Sequence, residues 1–333
     1  MANSIVLAKK YVPLLDEVYK NSAKTGNLES GSDMVRAGAN ANEIVLPKID
    51  MDGLADYSRS SGYVAGNDNF TWETYQFNYE RGRIFTVDNM DNEETINLAF
   101  GRLASEFIRT KAAPELDAFR FAQYASASGI GSKQATLSTG ANVISALREA
   151  TQTMDEAEVP DSDRYLYITP TLRGLVDDLD TTKSKAVMSR FTQIVTVPQS
   201  RFYTAVHLND GTTAGETTGG YVKQAAVYTK TTDVAIDPSK TYYTKSGDTY
   251  TAVAEPDVSD IGDYYELTTA AGVDINFLVI HKPAVIQYTK HALPKIITPE
   301  LNQDADAWKY GYRIYGIAKI LENKLAGIYC SHK

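Results

Sequence analysis

The period of the apolar positions changes several times along the chain, and each change marks an element. Over 70–87 the period is two. Tyr75, Phe77, Tyr79, Phe85 and Val87 share a face, with Arg81 and Arg83 between them. This predicts a long hairpin or loop, and two strands alone are marginal in water, so it must lie on something else. The period then lengthens. Ile96, Ala99, Leu103 and Phe107 have helical spacing and predict a long helix over 91–124. Asp91 and Glu94 give it a capping-box-like start, and Pro114 predicts a kink or restart. Val143, Leu147, Ala150 and Met154 predict a second amphipathic helix over 141–157. RYLYITPTLRGLVDD (164–178) reads as a strand followed by a helix, with Thr169 as N-cap and Pro170 as first helical residue.

Beyond it, 191–208 reads as strands and 209–220 (NDGTTAGETTGG) as a turn-rich loop. DINFLVIH (274–281) reads as a buried strand. The stretch 308–329 predicts one long strand, with Tyr310, Tyr312, Ile314 and Gly316 in phase. At the other end, Leu14, Leu15 and Val18 suit a short helix within 1–20, and 43–50 reads as extended. The Asn-, Ser-, Gly- and Ala-rich residues 21–42 hold few anchors to offset an ordering cost of about 1–2 kcal/mol per residue. They read as an arm that orders only against a partner. Strands interleaved with a few helices give an α+β class.

Composition narrows the function. At 333 residues and 43% hydrophobic, the chain can bury a sizeable core. A net charge of -9 argues against a general phosphate binder. The single cysteine, Cys330, cannot form an internal disulfide. The opening MANSIVLAKKYVPLLDEVYK lacks a signal-peptide core, and no run approaches 18 apolar residues, so cytoplasmic synthesis and no membrane partner are expected. The 22 tyrosines against 10 phenylalanines offer apolar area with a polar tip, which suits subunit interfaces and β-sandwiches alike.

Chemistry is expected to be absent: no catalytic residue, cofactor or metal. There is no phosphate-cradling G-x-x-x-x-G-K-[ST] motif, and Gly131-Ser132-Lys133 is only a fragment of one. No G-x-S-x-G elbow occurs. His207, His281, His291 and His332 lack metal-ligand spacing. Asp155, Glu156 and Glu158 read as a solvated helix end.

Four strings carry a resemblance: YERGRIFTVDNMDNEET (79–95), FIRTKAAPELDAFRFAQYA (107–125), RYLYITPTLRGLVDD (164–178) and NQDADAWKYGYRIYGIAKILENKLAGIY (302–329). In this order and spacing the chain resembles the major capsid proteins of tailed bacteriophages, whose fold is the Hong Kong phage type. The resemblance implies an N-terminal arm (1–42), an extended loop (43–88), a peripheral domain with the spine helix (89–137) and an axial domain (138–225, returning at 272–292). A peripheral-domain closing strand (293–333) completes it. It places Tyr75, Phe77, Tyr79, Arg81 and Arg83 in the loop as inter-subunit contacts, and Phe107, Pro114, Glu115 and Asp117 on the spine helix.

The function it implies is that of a non-enzymatic subunit, self-assembling through hexamers and pentamers into an icosahedral head around double-stranded DNA. Binding to that DNA would not be sequence-specific. Partners would include a portal and decoration proteins. A separate scaffolding protein is also expected, because the chain begins almost directly in the arm. The location would be the virion, after assembly in the host cytoplasm. The alternatives are a shell subunit of a bacterial nanocompartment and a β-rich carbohydrate-binding or hydrolase protein.

Between Gln224-Ala225 and Gly272-Val273 the resemblance lapses. Residues 226–271 read as an inserted small β-rich domain with short β runs, turn signals and six tyrosines, among them Tyr242, Tyr243, Tyr264 and Tyr265, expected on its surface. DPSKTYY (237–243) and SDIGDYY (259–265) form an internal echo, each a turn followed by paired tyrosines.

Overall fold

The computed structural model describes residues 23–30, 36–37, 43–94, 98–179 and 181–333; the helix expected within 1–20 lies outside them. In chain order the strands are β1 (Arg36–Ala37), β2 (Glu43–Met51), β3 (Asp68–Gln76), β4 (Tyr79–Asp88), β5 (Gly131–Gln134), β6 (Arg164–Ile168), β7 (Gln193–Thr196), β8 (Val206–Leu208) and β9 (Tyr221–Lys223). They continue as β10 (Val227–Lys230), β11 (Tyr242–Ser246), β12 (Thr249–Ala252), β13 (Tyr265–Thr269), β14 (Ile275–His281), β15 (Val285–Ile297), β16 (Ala307–Ile320) and β17 (Ile328–His332). The α-helices are α1 (Asn89–Glu94), α2 (Leu98–Phe107), α3 (Ala113–Ala125), α4 (Gly140–Glu156), α5 (Pro170–Asp177) and α6 (Thr182–Met188).

The described residues fall into two compact units. One comprises Thr25–Ser105 and Val285–Lys319; the other comprises Glu106–Ala284 and Ile320–Lys333, with residues 23–24. The second unit is built on a five-stranded sheet of order β5-β17-β14-β6-β7. Its centre, β14, runs antiparallel to β17 and β6, while the outer pairs β17/β5 and β6/β7 are parallel. Every residue of β14 is buried, which explains its continuous apolar run. On one face Val143, Leu147, Ala150 and Met154 of α4 join Leu172, Val176 and Val187 in a core with Leu166, Ile168, Phe277 and Val279. Each such side chain contributes about 1.5–3 kcal/mol relative to exposure. On the other face Phe121 of α3 packs edge-on against Tyr167 (5.1 Å) and Phe202 (4.9 Å).

The helix expected over 91–124 is found as α1, α2, a π-helical turn (Ile108–Ala112) and α3, with residues 95–97 outside the described set. Its start differs from the capping-box expectation. Asp88 accepts from the Met90 N–H (2.9 Å), and Asp91 lies inside the first turn. At Pro114 the chain does not stop. The proline sits in the first turn of α3, where a missing N–H costs least, and the Ala113 N–H reaches back to the Ile108 carbonyl across the π turn.

The first unit carries a three-stranded sheet of order β15-β16-β4. β16 and β4 pair antiparallel from Ala307↔Asp88 to Gly316↔Tyr79. Tyr310, Tyr312, Ile314 and Gly316 are all buried, as their phase predicts. Two strand expectations need correction. The strand expected over 308–329 ends at Ile320; a 3-10 segment, Glu322–Gly327, intervenes, and β17 joins the sheet of the other unit. Polar Glu322, Asn323 and Lys324 interrupt the alternation there, and the Leu321 N–H bonds the Ala284 carbonyl instead of a ladder partner (2.9 Å). The extended run 70–87 also breaks. Asn78 bonds both the carbonyl and the N–H of Ala318 through its amide (2.9 and 3.1 Å), so β3 ends before it and β4 begins after it. β3 pairs with β2, β4 with β16, and no hairpin joins them.

Residues 25–30, within the stretch read as poor in anchors, are tied to β15. The buried Gln287 amide donates to the Thr25 carbonyl (2.7 Å) and to Glu29 (2.9 Å), and Leu28 is fully buried.

Candidate assembly surfaces

The hairpin of this chain is β2–β3, in register over nine pairs from Glu43↔Gln76 to Met51↔Asp68. Asp52 and Asn67 close its neck: the Asp52 N–H donates to the Asn67 carbonyl (3.1 Å), and the Asn67 N–H donates to the Asp52 carboxylate (2.7 Å). The tip turns at Ser58–Gly62, where Gly62 adopts φ +82. Lys48 pairs with Glu73 (3.1 Å) across the strands, and Tyr75 Oη donates to Glu73 (2.6 Å). The Tyr75 hydrogen bond, more than Lys48, holds the Glu73 carboxyl below its usual range.

The surface of this hairpin carries several large apolar side chains among its polar ones. Phe70 is 53% exposed and Trp72 47%, with ring centroids 5.4 Å apart. Tyr57 and Tyr63 meet edge-on at the tip, at 4.8 Å. Leu54, Val64 and Met51 are exposed beside them. Large apolar side chains gathered on one exposed hairpin make it a candidate interaction surface.

The sequence-selected loop residues lie elsewhere. Tyr75 and Tyr79 are buried within the chain itself, at 7% and 3% exposure. Phe77 is half-buried, stacked on Tyr315 at 4.5 Å with the Lys290 ammonium 5.3 Å above its ring. Arg81 and Arg83 stand opposite Ile314 and Tyr312 on β4. Phe70 and Trp72 were missed, although the same alternation carries them in the opposite phase. On the helical segment, Phe107 ends α2 half-buried, and Pro114, Glu115 and Asp117 are buried on α3. Asp117 accepts from the Lys24 N–H (2.8 Å) and from Arg201 (3.2 Å), so its role is structural. Nearby, burial pushes the Tyr221 hydroxyl up to about 12, and it donates to the Ser200 carbonyl (2.8 Å).

A second surface is the four-stranded antiparallel sheet β10-β13-β11-β12. Its ends are adjacent, since the Gly272 N–H donates to the Gln224 carbonyl (2.8 Å). Its two halves repeat. Exchanging β10 with β12 and β11 with β13 returns the same strand order read backwards. Asp237 accepts from the Ser239 N–H and hydroxyl (2.9 and 2.7 Å), and Asp257 does the same with Ser259 (2.8 and 2.9 Å). The N–H of each aspartate then donates to a tyrosine hydroxyl at 3.0 Å, Asp237 to Tyr242 and Asp257 to Tyr264. The echo therefore starts at Asp257, two residues ahead of the string read from the sequence. Those bonds also explain a correction: Tyr242 and Tyr264, expected at the surface, are buried at 1% and 4%. On the opposite face Tyr243 and Tyr265 pair across β11 and β13, and Tyr228 stacks on Tyr250 at 4.1 Å. All four of these rings are half-buried.

Among the described residues no cluster of His, Cys, Asp or Glu could hold a metal, and no helix is long and apolar enough to cross a membrane. No family model matches the sequence, and no curated protein matches it. Solved structures do. The chain is similar to a structure from Gordonia phage Cozz (TM-score 0.51, 11% identity, 93% of this chain and 86% of that one). It is similar to the capsid structure of Staphylococcus phage Andhra (0.50, 14%, 92% and 83%). A virus-like particle from Pyrococcus furiosus matches as well (0.50, 8%, 95% and 97%). The chain thus shares its α+β fold with solved phage capsid structures.

Proposed function

We propose that this chain, carrying that capsid fold, is the major subunit of a phage head, assembling in many copies into an icosahedral shell around double-stranded DNA. The observation that carries the reading is the β2–β3 hairpin. Among the described residues it presents Phe70 (53% exposed), Trp72 (47%) and the large apolar side chains near its tip to solvent. A hairpin of this kind is stabilised by docking on a neighbouring copy. Obligate interfaces of this class bury about 2,000–5,000 Å². In this reading 43–88 is the extended loop, 1–42 the arm, 89–137 the peripheral domain with its spine, and 138–225 with 272–292 the axial domain. Residues 226–271 are a decoration inserted in it, and 293–333 close the peripheral domain. A scaffolding protein and a portal are the expected partners, the site of assembly is the host cytoplasm, and the DNA is contacted without sequence preference.

A second reading is favoured by one observation: the virus-like particle from Pyrococcus furiosus matches over nearly the full length of both chains. In that reading the chain is the shell subunit of a bacterial nanocompartment. Electron microscopy of the chain expressed with its scaffolding protein tests the first reading. It predicts closed shells that take up DNA. Shells filled only with protein favour the second reading, and a strictly monomeric chain at high concentration contradicts both.

A further inference from the structure

One face of the β15–β16–β4 sheet has a floor without side chains. Gly82 stands opposite Arg313, and Gly311 opposite Ile84, so the two glycines lie diagonally on the same face. A groove of about 480 Å³ opens above them. Its rims are apolar: Ile84 is 59% exposed and Leu293 50%. Two cations, Lys295 and Arg313, flank it. Lys295 is exposed and His291 half-buried on β15, and Arg313 leans on Glu80 at one end. Arg81 and Arg83, opposite Ile314 and Tyr312, belong to the sheet's other face. Glu80 is the one carboxylate in that lining, on a chain whose net charge is -9.

We propose that this groove binds an acidic stretch of another polypeptide, which lays an aromatic or branched apolar side chain over Gly82 and Gly311 and sets carboxylates against Lys295 and Arg313. Three observations select this occupant. Exposed glycines in a sheet leave backbone that a ring covers well. Ile84 and Leu293 give an apolar anchor a wall on either side, as in other small peptide-accepting clefts. The cations give charge complementarity, which sets specificity and association rate. A DNA backbone fits less well. It would press phosphates on Ile84, Leu293 and Glu80, where phosphate recognition wants polar donors. The inference is independent of shell formation, because the groove lies within one unit of one chain.

The test uses the full, unassembled chain and a short fluorescent peptide of alternating glutamate and phenylalanine, followed by anisotropy. Saturable binding that weakens with salt is expected. Lys295→Glu, at an exposed position, should weaken it by about tenfold or more. Gly311→Val should abolish it by filling the floor. A Cβ at 311 meets Lys295 and Ile84 at ordinary contact distances of 3.7 and 4.0 Å, so the strand tolerates the change. Circular dichroism checks the fold of both variants. Absent binding, binding unchanged in Lys295→Glu, or displacement of the peptide by duplex DNA would each overturn the proposal. So would a chain that ignores the peptide but loses its self-association in both variants, since the groove would then serve contact between copies.

Discussion

Gly140 opens α4 against the carbonyl of Leu175, and a Cβ built there would lie 2.1 Å from that oxygen. No rotamer relieves a clash with backbone, so α4 and α5 would have to separate. Gly140→Ala should destabilise the chain by about 1–3 kcal/mol, the usual cost of overpacking, measured by urea unfolding. A second residue-scale feature is Arg164, fully buried, which binds Asp155 (2.7 Å) and the carbonyls of Pro160 and Val159. Desolvation alone would raise the Asp155 carboxyl. Hydrogen bonds from Arg190 and Arg164 outweigh it and hold the group below its usual range. A carboxyl depressed in the folded state stabilises the protein above its unfolded pKa, and that contribution is lost as pH falls through the folded one. Unfolding free energy should therefore decline below about pH 4, and Asp155→Asn should flatten that acid limb. From sequence, Asp155 read as a solvated helix end. Its charge was legible but its partners were not, because Arg190 lies on a distant segment.

At the scale of elements, periodicity succeeded where one face is buried and failed where the chain changes sheets. β14 and the phase of β16 follow directly from their apolar pattern. The breaks at Asn78 and after Ile320 do not, since each depends on a backbone group elsewhere, Ala318 and Ala284. The exposed phase of the hairpin was legible but read the other way: Phe70 and Trp72 alternate as regularly as Tyr75 and Tyr79. Trp72→Ser should lower the melting temperature of the unassembled chain only slightly and sharply reduce assembly, scored by sedimentation. A matching loss of melting temperature would place Trp72 in the fold instead. Removing residues 53–66 while keeping the Asp52–Asn67 neck should likewise give a folded, assembly-defective chain.

The duplicated sheet makes a paired prediction. Tyr242→Phe and Tyr264→Phe each strip the acceptor from an aspartate N–H, at about 1 kcal/mol apiece, and Tyr242→Phe also removes the bond donated to Asp233 (2.8 Å). Equivalent halves should respond equally by hydrogen exchange at Asp237 and Asp257, and a large asymmetry would deny the equivalence. The adjacent ends at Gln224 and Gly272 lead to a further expectation. A short Gly/Ser linker in place of 226–271 should still support shells of normal size, because closing so small a gap costs little entropy.

For the molecule as a whole, no single motif was decisive. The fold was legible in the order and spacing of four strings, each weak alone. Sequence families do not match the chain, while a solved phage capsid and a virus-like particle match across most of its length at 14% and 8% identity. That disparity is what packing permits. A buried face needs apolar side chains of suitable volume at the right phase, and many sequences supply them. What remained illegible is the docking partner of each surface, since exposure alone does not name what covers it. Cryo-electron microscopy of the purified chain co-expressed with its scaffolding protein decides the central claim. The account predicts closed shells in which the β2–β3 hairpin of each subunit lies on a neighbour, with Phe70 and Trp72 buried. Subunits that stay monomeric, or shells in which those two rings still face solvent, would contradict it.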